Sequence, residues 1–165
     1  MQSGHVDVDD ATTTLTHWFA NASEGDDRSD EARQSPREPI AAGTTILVID
    51  DDLANLALAQ ALLQAEGFQV RVAIDAASTF RVLETCTPSL ILMDIQLPEV
   101  DGWELTKRLK ADPATSDIPV IAITAYGKEG DVHKARRAGF VEFLSKPVST
   151  RELPDILRRH LPARS

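Results

Sequence analysis

The chain has 165 residues, of which 42% are hydrophobic and 26% are charged, and its formal net charge is −9 at pH 7. This size suits one domain with an extension, and the negative charge argues against nucleic acid as a direct partner. The single cysteine, Cys86, excludes an internal disulfide framework, and no apolar stretch reaches the roughly 20 residues that span a bilayer. We therefore expect a cytoplasmic protein without membrane contact.

The first 43 residues differ in composition from the rest of the chain. They contain nine acidic and three basic residues, whereas residues 44–165 contain 17 acidic and 14 basic residues. This composition predicts an acidic, mostly disordered extension over residues 1–43 and a folded domain over residues 44–165. Leu15, Trp18 and Phe19 have the spacing of one helix face, which leaves two alternatives open. They form either a short helix near residues 13–21 that contacts the domain or a partner, or an isolated apolar cluster.

The folded domain alternates strand-like and helix-like segments five times. The predicted strands are residues 45–49, 69–74, 90–93, 119–124 and 141–144, and the predicted helices are residues 53–65, 76–85, 101–110, 130–138 and 150–161. Strands that are joined by helices run parallel, and apolar strands indicate helices on both faces of the sheet. The prediction is a doubly wound α/β domain, whose functional site lies at the carboxyl ends of the strands.

Polar residues follow four of the predicted strands. They are Asp50, Asp51 and Asp52 after the first strand, Asp94 after the third, Thr124 at the end of the fourth, and Ser145, Lys146 and Pro147 after the fifth. Clustered carboxylates repel one another unless a cation is present, and Mg²⁺ prefers oxygen ligands. An aspartate alone is often a helix cap, but the joint pattern favours a carboxylate that is phosphorylated in the presence of Mg²⁺.

These motifs resemble the receiver domain of two-component response regulators over about residues 44–162. The resemblance rests on the runs ILVIDD at 46–51, LMDIQLP at 92–98, DG at 101–102, ITA at 123–125 and KP at 146–147. The 30 residues from Asp94 to Thr124 and the 22 from Thr124 to Lys146 agree with the family. The resemblance implies a CheY-like, flavodoxin-like fold, with five parallel strands in the order 2-1-3-4-5 and helices on both faces.

The resemblance also implies the roles of the acidic residues. Asp94 would accept a phosphoryl group from the phosphohistidine of a histidine kinase or a phosphotransfer protein. Mg²⁺ would be held by Asp51, Asp94 and the backbone carbonyl of Gln96, and by Asp50 through water. On this interpretation the protein is not an enzyme in the usual sense, although it promotes its own phosphorylation and dephosphorylation.

Thr124 and Lys146 would then bind the phosphoryl oxygens, and the Lys146–Pro147 bond would be cis. Gly102 would permit a tight turn before the third helix. The position of the family's aromatic switch is occupied by Phe143, which lacks the hydroxyl that a tyrosine would supply. Thr124 and Phe143 would form the switch.

No pattern of an output domain follows the receiver motifs, so we expect a full-length, single-domain regulator that is a monomer or a weak homodimer. It would signal to a downstream protein through its fourth helix, fifth strand and fifth helix. Five basic residues are predicted on that surface: Lys128, Arg136, Arg137, Arg158 and Arg159.

Three alternatives remain open. A phosphatase of the haloacid dehalogenase class would use Asp50 as its nucleophile, but Ala54 departs from its motif, no acidic pair follows Lys146, and the Asp94 motif would be unexplained. The chain could be a receiver segment of a hybrid kinase. It could also be a receiver that keeps the fold without the chemistry, although every site residue is present.

Overall fold

The structure, a computed structural model, describes residues 43–125 and 129–161. The predicted extension, with its possible helix near 13–21, lies outside the described residues except for Gly43, and so does Lys128. No helix in the described ranges combines the length and the apolar character needed to cross a membrane.

In the part of the chain that the structure describes, five parallel strands form one sheet between two layers of helices. They are β1 (Thr45–Ile49), β2 (Gln69–Ala73), β3 (Leu90–Asp94), β4 (Val120–Thr124) and β5 (Glu142–Ser145), in the order β2-β1-β3-β4-β5. All residues of β1, β3 and β4 are buried, as their uninterrupted apolar sequences predict. The edge strand β2 is largely exposed, because only one side of it is paired. The predicted fold is confirmed.

Within the described ranges, five helices cover the two faces of the sheet. They are α1 (Leu53–Ala65), α2 (Ala76–Thr85), α3 (Gly102–Ala111), α4 (Glu129–Ala138) and α5 (Leu153–His160). Side chains of α1 and α5, including Leu56, Leu63 and Leu157, pack on one face in a buried apolar cluster. Side chains of α2, α3 and α4, including Leu105 and Ala135, pack on the other. This arrangement places every strand's carboxyl end at one edge, beside the start of a helix.

The last helix begins three residues later than the sequence pattern predicts. Pro154 has no N–H group, so it fits only in the first turn of a helix. Residues before it form a separate turn, in which the amides of Glu152 and Leu153 donate to the carbonyl of Ser149. The fifth strand is also displaced by one residue, to Glu142–Ser145, and the other ends differ from prediction by one residue at most.

Candidate functional site

Three carboxylates meet at the carboxyl edge of the sheet. β1 and β3 are neighbours, and Ile49 pairs with Met93, so the residues that follow in register are Asp50 and Asp94. One carboxylate oxygen of each of Asp50, Asp51 and Asp94 lies within 4.8 Å of the others. Asp50 and Asp94 are buried, and Asp51 is exposed. Asp52, the third acid of the run, instead caps α1, because its carboxylate accepts from the amides of Ala54 and Asn55.

Lys146 brings a positive charge to the two buried carboxylates. Its Nζ lies 2.9 Å from Oδ2 of Asp94 and 3.5 Å from Oδ2 of Asp50. Its backbone amide donates to the carbonyl of Thr124 at 2.8 Å. The following Lys146–Pro147 peptide bond is cis. The residue after β5 is therefore fixed to the end of β4 while its side chain crosses to β1 and β3.

Asp50 is held by its own loop and by α1. Its Oδ1 accepts from the amide of Asp52 at 2.8 Å, and its Oδ2 accepts from Nδ2 of Asn55 at 3.2 Å. Burial raises the pKa of Asp50 to about 6, with Asp94 adding to the rise, although the Asp52 amide, Lys146 and Asn55 oppose it. Sequence reasoning missed Asn55. The available signal was a polar residue in the first turn of α1, a helix without charged residues, and the burial of Asn55 is seen only in the structure.

The loop after β3 positions Asp94. The amide of Gln96 donates to Oδ1 of Asp94 at 2.9 Å, and the amide of Ile95 donates to the carbonyl of Ile123 at 3.0 Å. α3 begins close by, where the amide of Gly102 donates to the carbonyl of Ile95 at 2.8 Å. These bonds place one carboxylate oxygen against the loop and leave the other at Lys146.

Gly102 is required here for a reason other than the predicted turn. Its φ is not positive, so backbone freedom is not the requirement. A Cβ at this position would lie 2.7 Å from Cα of Ile95 and 2.9 Å from the carbonyl oxygen of Asp94. The residue in the left-handed region is Glu99, with φ 62°. Gly102 therefore permits α3 to approach the backbone at the end of β3.

Thr124 and Phe143 lie on the α4 side of the sheet. Thr124 is buried at the end of β4, next to the strand that carries Asp94. Alternation along β4 puts Thr124 on the same face as Ala122, which pairs with Phe143. Phe143 is half-buried and lines a groove between α4 and β5. Phe143 therefore does not lie at the carboxylates. It is connected to Thr124 through Ala122, on one face of β4.

The basic residues predicted on the signalling surface separate into two groups. Arg136 and Arg137 are exposed on α4. The prediction that Arg158 lies on this surface is wrong. Its side chain turns toward α1, where it forms a salt bridge with Glu66 at 3.1 Å, and it also pairs with Asp155 at 3.2 Å. Arg159 lies 3.9 Å from Glu142. Arg158 therefore joins α5 to α1 instead of lying free on the surface.

The acidic cluster fits a hard divalent cation. Its three side chains offer only oxygen ligands, and the nearby backbone can add a carbonyl, which is the donor set of Mg²⁺. It is the only group of three or more metal-ligating His, Cys, Asp or Glu side chains with this spacing in the part of the chain that the structure describes. A carboxylate, a lysine and a cation at one point can receive and hold a phosphoryl group.

Comparisons with known proteins agree with this arrangement. Residues 46–158 match the family model of the response regulator receiver domain. The polar-differentiation response regulator DivK from Brucella anthropi is 35% identical over 117 residues, which cover 71% of this chain and 95% of DivK. A crystal structure of the receiver domain of sensor histidine kinase PA1611 from Pseudomonas aeruginosa PAO1 has a magnesium ion coordinated in its active-site cleft. It is 34% identical, with a TM-score of 0.65 over 72% of this chain and 97% of that one. A CheY-like receiver domain from Methanospirillum hungatei is 28% identical, with a TM-score of 0.65, and the match covers 71% of this chain and 92% of that one.

Proposed function

The chain belongs to the family of response regulator receiver domains, and we propose that it accepts a phosphoryl group on Asp94 from the phosphohistidine of a histidine kinase or a phosphotransfer protein. One observation carries the proposal. The carboxylate of Asp94 is 2.9 Å from the ammonium of Lys146 and shares one small site with two more carboxylates. This combination keeps a nucleophile next to the positive charge of Lys146 and to carboxylates that could hold a cation, and both positive charges would balance that of a phosphate.

The proposed transfer is a displacement at phosphorus. A carboxylate oxygen of Asp94 forms the new O–P bond while the P–N bond of the donor breaks, and the electron pair stays on the donor's imidazole. Lys146 would shift its contact from the free carboxylate to a phosphoryl oxygen, and the Thr124 hydroxyl would donate to another. The product is an acyl phosphate, whose formation and hydrolysis the same residues would promote.

We propose that Mg²⁺ takes part, held by Asp51, Asp94 and the backbone carbonyl of Gln96, with Asp50 contributing through water. When bound, the ion would neutralise the clustered carboxylates and the phosphoryl oxygens. Because it would bind the folded protein alone, millimolar Mg²⁺ should raise the melting temperature. Asp51→Asn should reduce that rise in melting temperature. The control is Asp117→Asn, at an exposed position remote in sequence from the cluster, and it should show the same rise as the wild type. A melting temperature that is indifferent to Mg²⁺ would contradict the assignment.

The phosphatase alternative receives no support from the family of the chain. That alternative would also leave the contact between Asp94 and Lys146, at 2.9 Å, without a role.

Phosphorylation of the Asp94→Asn variant tests the proposal. The purified chain is incubated with Mg²⁺ and acetyl phosphate, and separately with a phosphorylated phosphotransfer protein, and the phosphate is located by intact mass and peptide mapping. We expect acid-labile labelling of the wild type and of Asp117→Asn, and none of Asp94→Asn. Labelling of Asp50 in the Asp94→Asn variant would refute the assignment of the acceptor.

The proposed output is protein contact through the surface formed by α4, β5 and α5. A monomer or weak homodimer is the form that we propose for this role. A cytoplasmic location is also our proposal, and the single cysteine fits it because a reducing compartment requires no disulfide. Analytical ultracentrifugation with and without acetyl phosphate tests the oligomeric state.

A further inference from the structure

A groove with a mixed polar and apolar lining lies between α4 and β5, away from the carboxylate cluster. It has a volume of about 190 Å³ and is lined by Val132, Ala135, Arg136, Phe140, Val141, Glu142 and Phe143. Val132 and Val141 are 39% and 45% exposed, which makes them two of the five large hydrophobic residues exposed among the described residues. Exposed apolar side chains beside a concave surface indicate a binding site for another apolar group.

The last turns of α4 are positively charged, although the helix begins with Glu129 and Asp131. Residues 132–138 contain Lys134, Arg136 and Arg137, of which Lys134 lies 4.5 Å from the ring of Trp103 and Arg136 lines the groove. Arg136 and Arg137 form no salt bridge within the ranges that the structure describes. Glu142, the acidic residue of the lining, already contacts His160 at 2.6 Å and Arg159 at 3.9 Å. An occupant should therefore combine apolar side chains with negative charge.

The chain itself contains a segment of that composition. The 43 residues before the folded domain have six more acidic than basic residues, and their two aromatic residues are adjacent, at Trp18 and Phe19. Leu15 lies three residues before Trp18, on the same side if the segment is helical. Five acidic residues follow within the next 12 positions: Glu24, Asp26, Asp27, Asp30 and Glu31.

We propose that residues 15–19 of the chain occupy the groove between α4 and β5 of the same molecule, with the acidic residues of 24–31 facing Arg136 and Arg137. The docking does not require phosphorylation. Its consequence rests on the proposed function: the surface that would bind a downstream protein is then occupied by the chain's own N-terminal segment. A downstream partner would have to displace that segment.

The connecting segment is long enough. β1 is separated from β5 by two strands, so their axes are roughly 14 Å apart at the usual spacing between strands. Residues 20–44 form a connection of 25 residues, and a coil of that length spans about 25–30 Å on average. Docking within one molecule also has the advantage of a high effective concentration.

Paramagnetic relaxation on the full chain tests the proposal. A nitroxide is attached to Ser23→Cys in a Cys86→Ser background, and the methyl signals of Val132 and Val141 are observed by NMR. We expect the intensity of these signals to fall selectively. The double variant Trp18→Ser with Phe19→Ser should restore the full intensity, and added NaCl should restore part of it by screening the charges. Arg136→Gln with Arg137→Gln should also restore intensity, whereas Arg81→Gln, an exposed arginine of α2, should not.

Several outcomes would overturn the proposal. They are uniform broadening, broadening centred on the exposed Leu53 of α1, and broadening that survives replacement of Trp18 and Phe19. A mixture of isotope-labelled chains with separate nitroxide-labelled chains must show no effect, because transfer between chains would indicate a second copy as the occupant. Thermal melts verify that each variant is folded. Phosphorylation of Asp94 is measured on the same samples, so failure of the docking is distinguishable from failure of the proposed function.

Discussion

Lys146 and Asp94 are 52 residues apart in the sequence, yet Nζ of Lys146 lies 2.9 Å from Oδ2 of Asp94. The lysine also lies 3.5 Å from Oδ2 of Asp50. One ammonium group therefore offsets two buried carboxylates that would otherwise repel each other. This contact links the stability of the unphosphorylated protein to the proposed site of phosphorylation.

Lys146→Met should destabilise the protein when Mg²⁺ is removed with EDTA. The loss should lie below the roughly 3–5 kcal/mol typical of a broken buried pair, because the lysine side chain is 16% exposed. Added Mg²⁺ should recover part of it by supplying another positive charge. Urea unfolding measures both values, with Lys107→Met, an exposed lysine of α3, as the control. Equal stability of the two variants in EDTA would contradict the role given to Lys146.

The raised pKa of Asp50 predicts a particular pH dependence of the metal-free protein. The folded state keeps a proton up to a pKa of about 6, whereas the ordinary value is 3.8. Between these values the folded state binds more protons than the unfolded state, so stability falls as pH rises from about 4 to about 6. The contribution of Asp50 is about 3 kcal/mol at most, since one pKa unit corresponds to about 1.4 kcal/mol.

Asp50→Asn should flatten this part of the stability curve. Chemical unfolding in EDTA at several pH values measures it, and Asp117→Asn, an exposed aspartate, should keep the wild-type slope. In the presence of Mg²⁺ the slope should weaken, because cation and proton compete for the same carboxylates. An Asp50→Asn variant with an unchanged slope would show that another group is responsible.

The fold was predictable because its determinants are local and repeated. Apolar strands alternate with helices, and Asp52, Asp75 and Asp101 cap three of those helices through side-chain hydrogen bonds. The rule that sites lie at the carboxyl ends of strands correctly predicts Asp50, Asp51, Asp94 and Lys146 at one edge. What could not be predicted depends on contacts between distant segments. The roles of Asn55 and Arg158 come from their partners in space, and the need for Gly102 comes from a backbone that approaches from β3.

Gly102→Ala should destabilise the protein although alanine favours helices. The new Cβ would lie 2.7 Å from Cα of Ile95, and a backbone atom cannot move aside as a flexible side chain can. We expect a loss of about 1–3 kcal/mol, the usual range for overpacking, and weaker Mg²⁺ binding because the same loop holds Asp94. Gly43→Ala is the control for backbone conformation. The φ of Gly43 is +85° and a Cβ there meets nothing within 4 Å, so any loss of stability in that variant comes from the backbone and not from a steric clash. If Gly102→Ala were as stable as the wild type, α3 would be able to move away from β3 without a loss in the free energy of unfolding.

Glu99→Gly should have the opposite effect. Glu99 adopts φ 62° in the loop between β3 and α3, a conformation that costs an ordinary residue roughly 1–2 kcal/mol. Glycine adopts it freely but loses more entropy on folding, so we expect a net gain of about 0.5–1 kcal/mol. Glu104→Gly, in the first turn of α3, should instead lower stability. A loss of stability in Glu99→Gly would indicate that the Glu99 side chain contributes contacts that outweigh the strain.

The last prediction concerns the coupling between the site and the surface of α4 and β5. Phosphorylation of Asp94 should draw the Thr124 hydroxyl toward a phosphoryl oxygen, because an anionic acceptor forms the stronger hydrogen bond. Thr124 and Ala122 share one face of β4, and Ala122 lies beside Phe143 in the neighbouring strand. Movement of Thr124 would therefore open space next to the half-buried Phe143 ring, which should turn inward because burial of an aromatic ring is favourable. Both ring positions would exist before phosphorylation, with their populations changed by it.

The ring signals of Phe143 measure this coupling by NMR, with and without beryllofluoride and Mg²⁺. We expect a shift in the wild type together with shifts at Thr124 and Lys146. Ala122→Val places added volume in the space that the ring would enter, so it should suppress the Phe143 shift and keep those at the site. Ala122 is fully buried, so overpacking should lower its stability by about 1–3 kcal/mol, and a thermal melt must show that the variant is folded. An unchanged Phe143 environment in the wild type, alongside shifts at Thr124 and Lys146, would mean that Phe143 is a fixed part of the core and that signalling proceeds through the loop after Thr124.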